Sequence, residues 1–378
     1  MNCWQRVLRA GMTGGLAIAM LASGLSGQMD MGAGMTCSPG QGHGGAYFLK
    51  DFQYYKPMLA DIREPSLYVR HYWNEESVRF AKRTSAGSSA STFDFFDVGY
   101  GRYFPFLGWN ADTDAPENCL EANGIAAFVQ GSAHSLFDMD TRTHDLLNTD
   151  YRIGIGVAGR FANHFSVRLQ AFHESTHIGD EYTLGAIENP AFRRYNVAYE
   201  AYEGYLAVDR YDAVLDEFPD RSFRPVYARA YVGGRKFVNF QDRQAGFDRE
   251  FDAFDFGTGQ PAPEPLRAGS VWEGQVGGEL FWDMVALPDE SDGSFLGRLI
   301  SPQYLFAAGE LYLRDRYDVD SPERVPSLHV TAGFIYGPYF RGERTVRWAV
   351  HYYDGVNPHG QFRAEELNYL GVSFALLF

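Results

Sequence analysis

The chain of 378 residues carries 30 Phe, 24 Tyr, 6 Trp and 41 Gly, with a formal net charge of -15. That acidity excludes the basic face that nucleic-acid binding requires. With 21% charged and 45% hydrophobic residues the chain is not disordered. Beyond the N-terminus no apolar run reaches the roughly 18 residues of a membrane-spanning helix. Apolar residues instead alternate with Gly, Ser, Arg and Glu almost throughout, and the basic charge is arginine apart from Lys50, Lys56, Lys82 and Lys236.

Residues 1–26 read as a secretory signal peptide. Arg6 and Arg9 form the basic region, an apolar stretch from Leu16 to Leu21 follows, and small residues up to Ser26 offer a cleavage site. Export leaves Cys37 and Cys119 in an oxidising compartment, where a disulfide between them is expected. Residues 27–65 are first glycine-rich, with a GQGHGG linker at 40–45, and then carry Pro57 and Pro65. They read as a periplasmic or lumen-entering N-terminal extension.

From residue 66 to 378, period-two alternation marks strands near 66–73, 92–103, 123–132, 150–160, 164–177, 195–208, 226–238, 271–283, 303–316, 328–340, 345–354 and 369–378. The clearest is 271–283, where Trp272, Val276, Leu280 and Trp282 face one way and Glu273, Gln275 and Glu279 the other. Ten residues separate its two tryptophans, about 33 Å along a strand. At a tilt of ~40° this projects to about 25 Å, the height of an apolar band between aromatic girdles. The final strand puts Leu370, Val372, Phe374, Leu376 and Phe378 on one face. An even count of twelve, with ten and fourteen as the neighbouring choices, returns both ends to one side of a membrane. The expected fold is therefore all-β, an antiparallel transmembrane β-barrel of about twelve strands. The connections 104–122, 209–225 and 284–302 are long for such a barrel. A secreted β-sandwich would also alternate, but with shorter strands. The aromatic excess is expected on the lipid-facing surface and girdles, and glycine at inward positions and turns. Arg168, Arg229, Arg235, Glu273, Glu279, Glu310 and Arg347 are expected to line a polar lumen.

One segment concentrates chemistry: 165–182, FSVRLQAFHESTHIGDEY. Phe165, Val167, Leu169 and Ala171 form an apolar face, and the same parity continues to His173, Ser175 and His177. Ser166, Arg168, Gln170 and Glu174 face the lumen. His173 and Ser175 would thus sit side by side towards lipid near the outer rim, about 7 Å apart at Cβ. Polar residues facing lipid are costly. Either the rim is interfacial and tolerates them, or His173 takes the proton of Ser175 while its oxygen attacks a lipid ester. A third group would orient the imidazole. Asp180, Glu181, Glu188 and Asn196 are candidates, and Glu181 joins His173 and Ser175 in the expected catalytic set. Backbone N–H groups around Gly179 would form the oxyanion site.

The C-terminal aromatic on an apolar face, together with a signal peptide, resembles the assembly signal of bacterial outer-membrane barrels. That resemblance implies the outer membrane of a Gram-negative-type bacterium and recognition by the barrel assembly machinery. His173-Glu174-Ser175 resembles the H-x-S element of outer-membrane phospholipase A and of the lipid A deacylases. In those families the His and Ser are catalytic and face lipid, with an Asn or Glu as third member, which implies membrane lipid or lipopolysaccharide as substrate. The phospholipase pattern continues Asn-Gly, whereas Thr176-His177 follows here. The string 173–181, HESTHIGDE, with 357–362, NPHGQF, resembles a bacterial outer-membrane barrel family of unknown function, which implies location and no activity.

HESTH also matches the zinc-protease pattern H-E-x-x-H. That pattern works on a helix; on a strand Glu174 points away from His173 and His177. A looser ion site at His177 and Asp180, with Glu181, would take calcium. The glycines of 154–159, GIGVAG, alternate with Ile155 and Val157 and line a strand rather than a dinucleotide site. Two functions of different class follow. One is a lipid ester hydrolase of phospholipase or lipid A deacylase type. The other is a non-enzymatic outer-membrane channel or envelope structural protein.

Overall fold

A computed structural model describes residues 45–48, 54–74, 93–111, 123–180, 194–195, 197–211, 225–238, 250–251, 253–255, 260–261, 266–267, 272–284, 302–317, 323–337, 339–341 and 345–377. Among the described residues, twelve strands build one barrel: β1 Leu67–Asn74, β2 Phe93–Asn110, β3 Gly124–Asp138, β4 Leu146–Phe161, β5 Phe165–Ile178, β6 Ala198–Tyr211, β7 Pro225–Val238, β8 Trp272–Asp283, β9 Tyr304–Arg316, β10 Glu323–Tyr336, β11 Thr345–Val356 and β12 Glu366–Leu377. Each pairs antiparallel with its neighbours in the chain, and β12 pairs with β1, so the sheet closes on itself. Closure leaves no unpaired edge, which is what a strand-built membrane protein requires. Residues Gly45–Phe48 add a short antiparallel pairing on the end of β2. Leu67 pairs with Leu376, so the barrel starts and finishes at one rim, the terminal rim. Cys37, Cys119 and residues 1–26, the expected signal peptide, lie outside the described residues.

The strands expected from alternation are all present, and their ends moved. β2 runs on to Asn110 because a bulge between Pro105 and Leu107 takes up the proline without ending the ladder. The connection after it is correspondingly shorter than 104–122. β10 begins at Glu323 and stops at Tyr336, ahead of the expected 340, because Gly337 turns the chain with φ 101° into a short 3₁₀ turn, Tyr339–Arg341.

The outer wall is apolar: Ile153, Ile155, Leu169, Leu206, Val232 and Val276 are all exposed. The inner wall holds the charges expected there, with Arg168, Arg229, Arg235, Glu273, Glu279, Glu310 and Arg347 all buried. The placing of the aromatics needs correction. Tyr72, Tyr227, Tyr312, Tyr353 and Tyr369, with Phe95, Phe281 and Phe306, are among the largest fully buried side chains and point inward. Tyrosine suits this interior because its ring fills volume while its hydroxyl finds a charged partner. Tyr68 donates to Asp97 at 3.1 Å, Tyr199 to Glu174 at 2.7 Å and Tyr231 to Glu310 at 3.2 Å. Glycine is likewise not confined to the inside.

Residues 54–66 pass through the lumen. Tyr54, Tyr55, Met58, Leu59, Ala60, Ile62, Arg63 and Glu64 are all buried there. The segment's backbone carbonyls accept from the wall: Arg229 donates to the Lys56 carbonyl at 2.9 Å and Arg347 to that of Leu59 at 3.2 Å. The Leu59 N–H in turn donates to Glu279 at 2.8 Å. Arg168 holds Glu64 with two hydrogen bonds, 2.7 and 3.1 Å, and Arg63 meets Asp150 at 2.8 Å. From the far rim, residues 357–363 fold inward, with Asn357, His359 and Phe362 buried. Gly360 donates to Asp150 at 3.3 Å, so the two insertions meet at that carboxylate.

Candidate functional site

β5 supplies both faces of the site. Its side chains alternate strictly, so Glu174 and Thr176 are buried inside while His173, Ser175 and His177 lie on the outer wall. Registers with β4 and β6 fix their neighbours: His173 lies between Ile153 and Glu200, and Ser175 between Tyr151 and Ala198.

The imidazole Nδ1 of His173 is 2.9 Å from Oε1 of Glu200. Both side chains stand on the outer wall, 43% and 33% exposed. With Nδ1–H donated to the carboxylate, Nε2 is the nitrogen left to accept a proton. The His173 ring bonds Glu200 and makes no hydrogen bond to the Ser175 hydroxyl in this conformation. His177 packs edge-on against the Tyr151 ring, centroids 5.7 Å apart. A cleft of about 830 Å³ opens beside the pair, lined by Ile153, Ile155, Ala171, His173, Glu200 and Tyr202.

Behind this face the wall is tightly tied. Glu174 accepts from Arg152 Nε at 2.8 Å and from the Tyr199 hydroxyl at 2.7 Å, and Arg63 of the lumen segment lies 4.0 Å away. Thr176 donates to Asn148 at 2.9 Å, and Asn148 donates to Asp150 at 2.8 Å. Gln361 donates to the Thr176 carbonyl at 3.1 Å. The backbone that presents Ser175 is thus held from inside by partners on β4, β6, the lumen segment and the 357–363 loop.

His173 and Ser175 are together on the outer wall, as strand parity predicts. Asp180 is exposed just past β5. Glu181, Glu188 and Asn196 lie outside the described residues. The group that meets His173 is Glu200, which spacing from the motif did not single out. Its signal was available in parity: Glu200 shares an apolar face with Tyr202, Leu206 and Val208, where a carboxylate is out of place. Of the N–H groups around Gly179 expected to form an oxyanion site, that of Gly179 itself donates to the Leu147 carbonyl at 2.9 Å. Glu174 faces Arg152 on the inner wall, away from His173 and His177, so HESTH does not assemble a zinc-protease site. Among the described residues no cluster of three His, Cys, Asp or Glu side chains is placed to hold a metal. The glycines 154, 156 and 159 lie within β4, as read from their alternation.

Residues 45–212 match the model of a family described as a protein of unknown function, DUF1207. No curated protein matches the chain. Among solved structures, outer membrane phospholipase A from Escherichia coli is similar at 10% identity and a TM-score of 0.41, over 82% of this chain and 92% of that one. The calcium-bound outer membrane phospholipase dimer of Salmonella typhi is similar at 8% identity and a TM-score of 0.40, over 82% and 90%. The beta domain of the Bordetella autotransporter BrkA gives 9% identity and 0.35, over 83% and 99%. Among the described residues the chain is a closed antiparallel barrel of twelve strands.

Proposed function

We propose that the protein is an outer-membrane lipid ester hydrolase in which Ser175, His173 and Glu200 act as nucleophile, base and orienting carboxylate. The observation that carries this is the 2.9 Å contact between His173 and Glu200 on the outward wall, two residues from Ser175. Polar side chains on a lipid-facing wall are expensive, and the paired His173 and Glu200 supply the base and orienting group of nucleophilic catalysis once the Ser175 hydroxyl, two residues along the same strand, turns to the ring.

The steps follow from the three side chains. In the neutral tautomer of His173 whose Nδ1–H is donated to Glu200, Nε2 carries the lone pair. A rotamer change brings the Ser175 hydroxyl to Nε2, which takes its proton as Oγ attacks the ester carbonyl carbon. Tyr151, across the strand from Ser175, supplies a hydroxyl donor to the developing oxyanion. The tetrahedral intermediate expels the alcohol, which leaves with the proton from His173. Water, deprotonated by His173, then cleaves the acyl-serine and releases the fatty acid.

The competing channel reading requires a path through the lumen. Residues 54–66 occupy it from the terminal rim and 357–363 from the far rim, which favours the outer wall as the working surface. The deciding experiment is hydrolysis of phospholipid and lipid A by refolded protein. Activity in the wild type that vanishes in Ser175→Ala supports the hydrolase; equal activity in both, or none, rejects it.

A further inference from the structure

On the outer wall of β6, β7 and β8, Tyr202, Lys236 and Trp272 pair in one row across the strands. The Lys236 ammonium lies 5.3 Å from the centre of the Trp272 ring. One row towards the terminal rim come three outward glycines in register, Gly204, Gly234 and Gly274, and beyond them Leu206, Val232 and Val276. Leu169 closes the glycine row on the β5 side and Leu313 on the β9 side. The row leaves a recess of about 900 Å³, lined by Leu169, Ala171, Tyr202, Gly204, Gly234 and Lys236 among others. Ile155, Ala171 and Tyr202 line both this recess and the cleft that holds His173.

Glycine weakens a strand, and in a strand it often marks a close approach by something else. At Gly234 the close approach is the wall itself, since a Cβ would stand 2.4 Å from the Glu273 carbonyl oxygen. The other two differ. A Cβ on Gly274 meets nothing within 4 Å, and on Gly204 the nearest atom is the side-chain Cδ2 of Leu169 at 3.0 Å. The backbone does not require glycine at these two positions, and what their smallness creates is open volume. Its depth is marked by Trp272 and Lys236, residues of the kind that sit at the membrane–water boundary. The glycine row is two residues further along β8, roughly 7 Å along the strand and about 5 Å deeper at a ~40° tilt, at the level of lipid chains.

Resting on the esterase reading, we propose that the recess is the acyl-chain subsite of this hydrolase and that its substrates are long-chain fatty acyl esters. The carbonyl lies at Ser175 and the chain runs past Ala171 onto the glycine row. From Ser175 to Leu169, the β5 neighbour of Gly204, is six residues or about 20 Å. A butyryl group is far too short to span that distance, whereas a fully extended palmitoyl chain is of comparable length, so only a long acyl chain reaches the recess.

The test compares palmitoyl with butyryl esters on the refolded full chain. The wild type is expected to prefer the palmitoyl ester by about 10-fold or more. Gly204→Leu is expected to lose that preference through the palmitoyl rate while retaining the butyryl rate, and Gly274→Leu provides a second block at a position where an added Cβ meets nothing within 4 Å. A binding readout uses Ser175→Ala protein and a brominated palmitoyl ester, with quenching at Trp272 isolated by subtracting the Trp272→Phe signal. Saturable quenching that Gly204→Leu removes is the expected result. An active wild type that ignores chain length, or quenching that never saturates, overturns the subsite and leaves the esterase standing. Hydrolysis of neither ester overturns both.

Discussion

The amide of Gln361 donates to the backbone carbonyl of Thr176 at 3.1 Å, joining two sequence motifs 185 residues apart. Next to it, a Cβ on Gly360 would lie 2.8 Å from the Thr176 methyl. The NPHGQF loop is therefore an inner support for the strand that presents His173 and Ser175. Gly360→Val should destabilise the barrel by about 1–3 kcal/mol through overpacking. The measurement is the unfolding midpoint of the refolded protein; an unchanged midpoint would mean that the loop does not rest on β5.

The Ser175, His173 and Glu200 side chains should behave as a unit. Ser175→Ala or His173→Ala should abolish hydrolysis, and Glu200→Gln should lower kcat by up to ~10⁴, because the amide stabilises the wrong tautomer or the wrong ring orientation. Each substitution is on the outer wall, so the midpoint of unfolding should barely move. A Glu200→Gln protein with wild-type kcat would remove Glu200 from the set.

Tyr151 should act in the transition state and little in binding. Tyr151→Phe should lower kcat by about 10²–10³ while KM stays near the wild-type value. A change confined to KM would assign Tyr151 to substrate contact alone.

The lumen segment should be held by its charges. Arg168 and Glu64 form a buried two-pronged pair, both side chains about 5% exposed or less, and removing one partner of such a pair costs about 3–5 kcal/mol. Glu64→Arg sets two cations against each other and should release residues 54–66. In planar bilayers the wild type is expected to show no steady conductance and Glu64→Arg to show openings. Equal traces would mean that the segment stays seated without this pair. Trypsin sensitivity at Arg63, buried in the wild type, provides a second readout.

Alternation was enough to read most of the barrel. The outward parity of Trp272, Val276 and Leu280 and the inward parity of Glu273 and Glu279 follow from a two-residue repeat, and so do the outward His173 and Ser175 and the inward Glu174. Strand ends were less legible, as at Pro105, where a bulge carries the ladder through a residue that ordinarily stops it. The inward tyrosines were misplaced because an aromatic ring serves equally well against lipid and against arginine, and hydropathy does not separate the two.

What the sequence by itself determined is which residues share a wall, since strand parity is a local property of the backbone. What only the tertiary structure decided is which residues meet across strands. Glu200 reaches His173 because of a register set by the closed barrel, across a connection whose length leaves that register open. The filling of the lumen by residues 54–66 is decided in the same way: Glu64 finds Arg168 across 104 residues, an electrostatic match that exists only once the wall has curved around it.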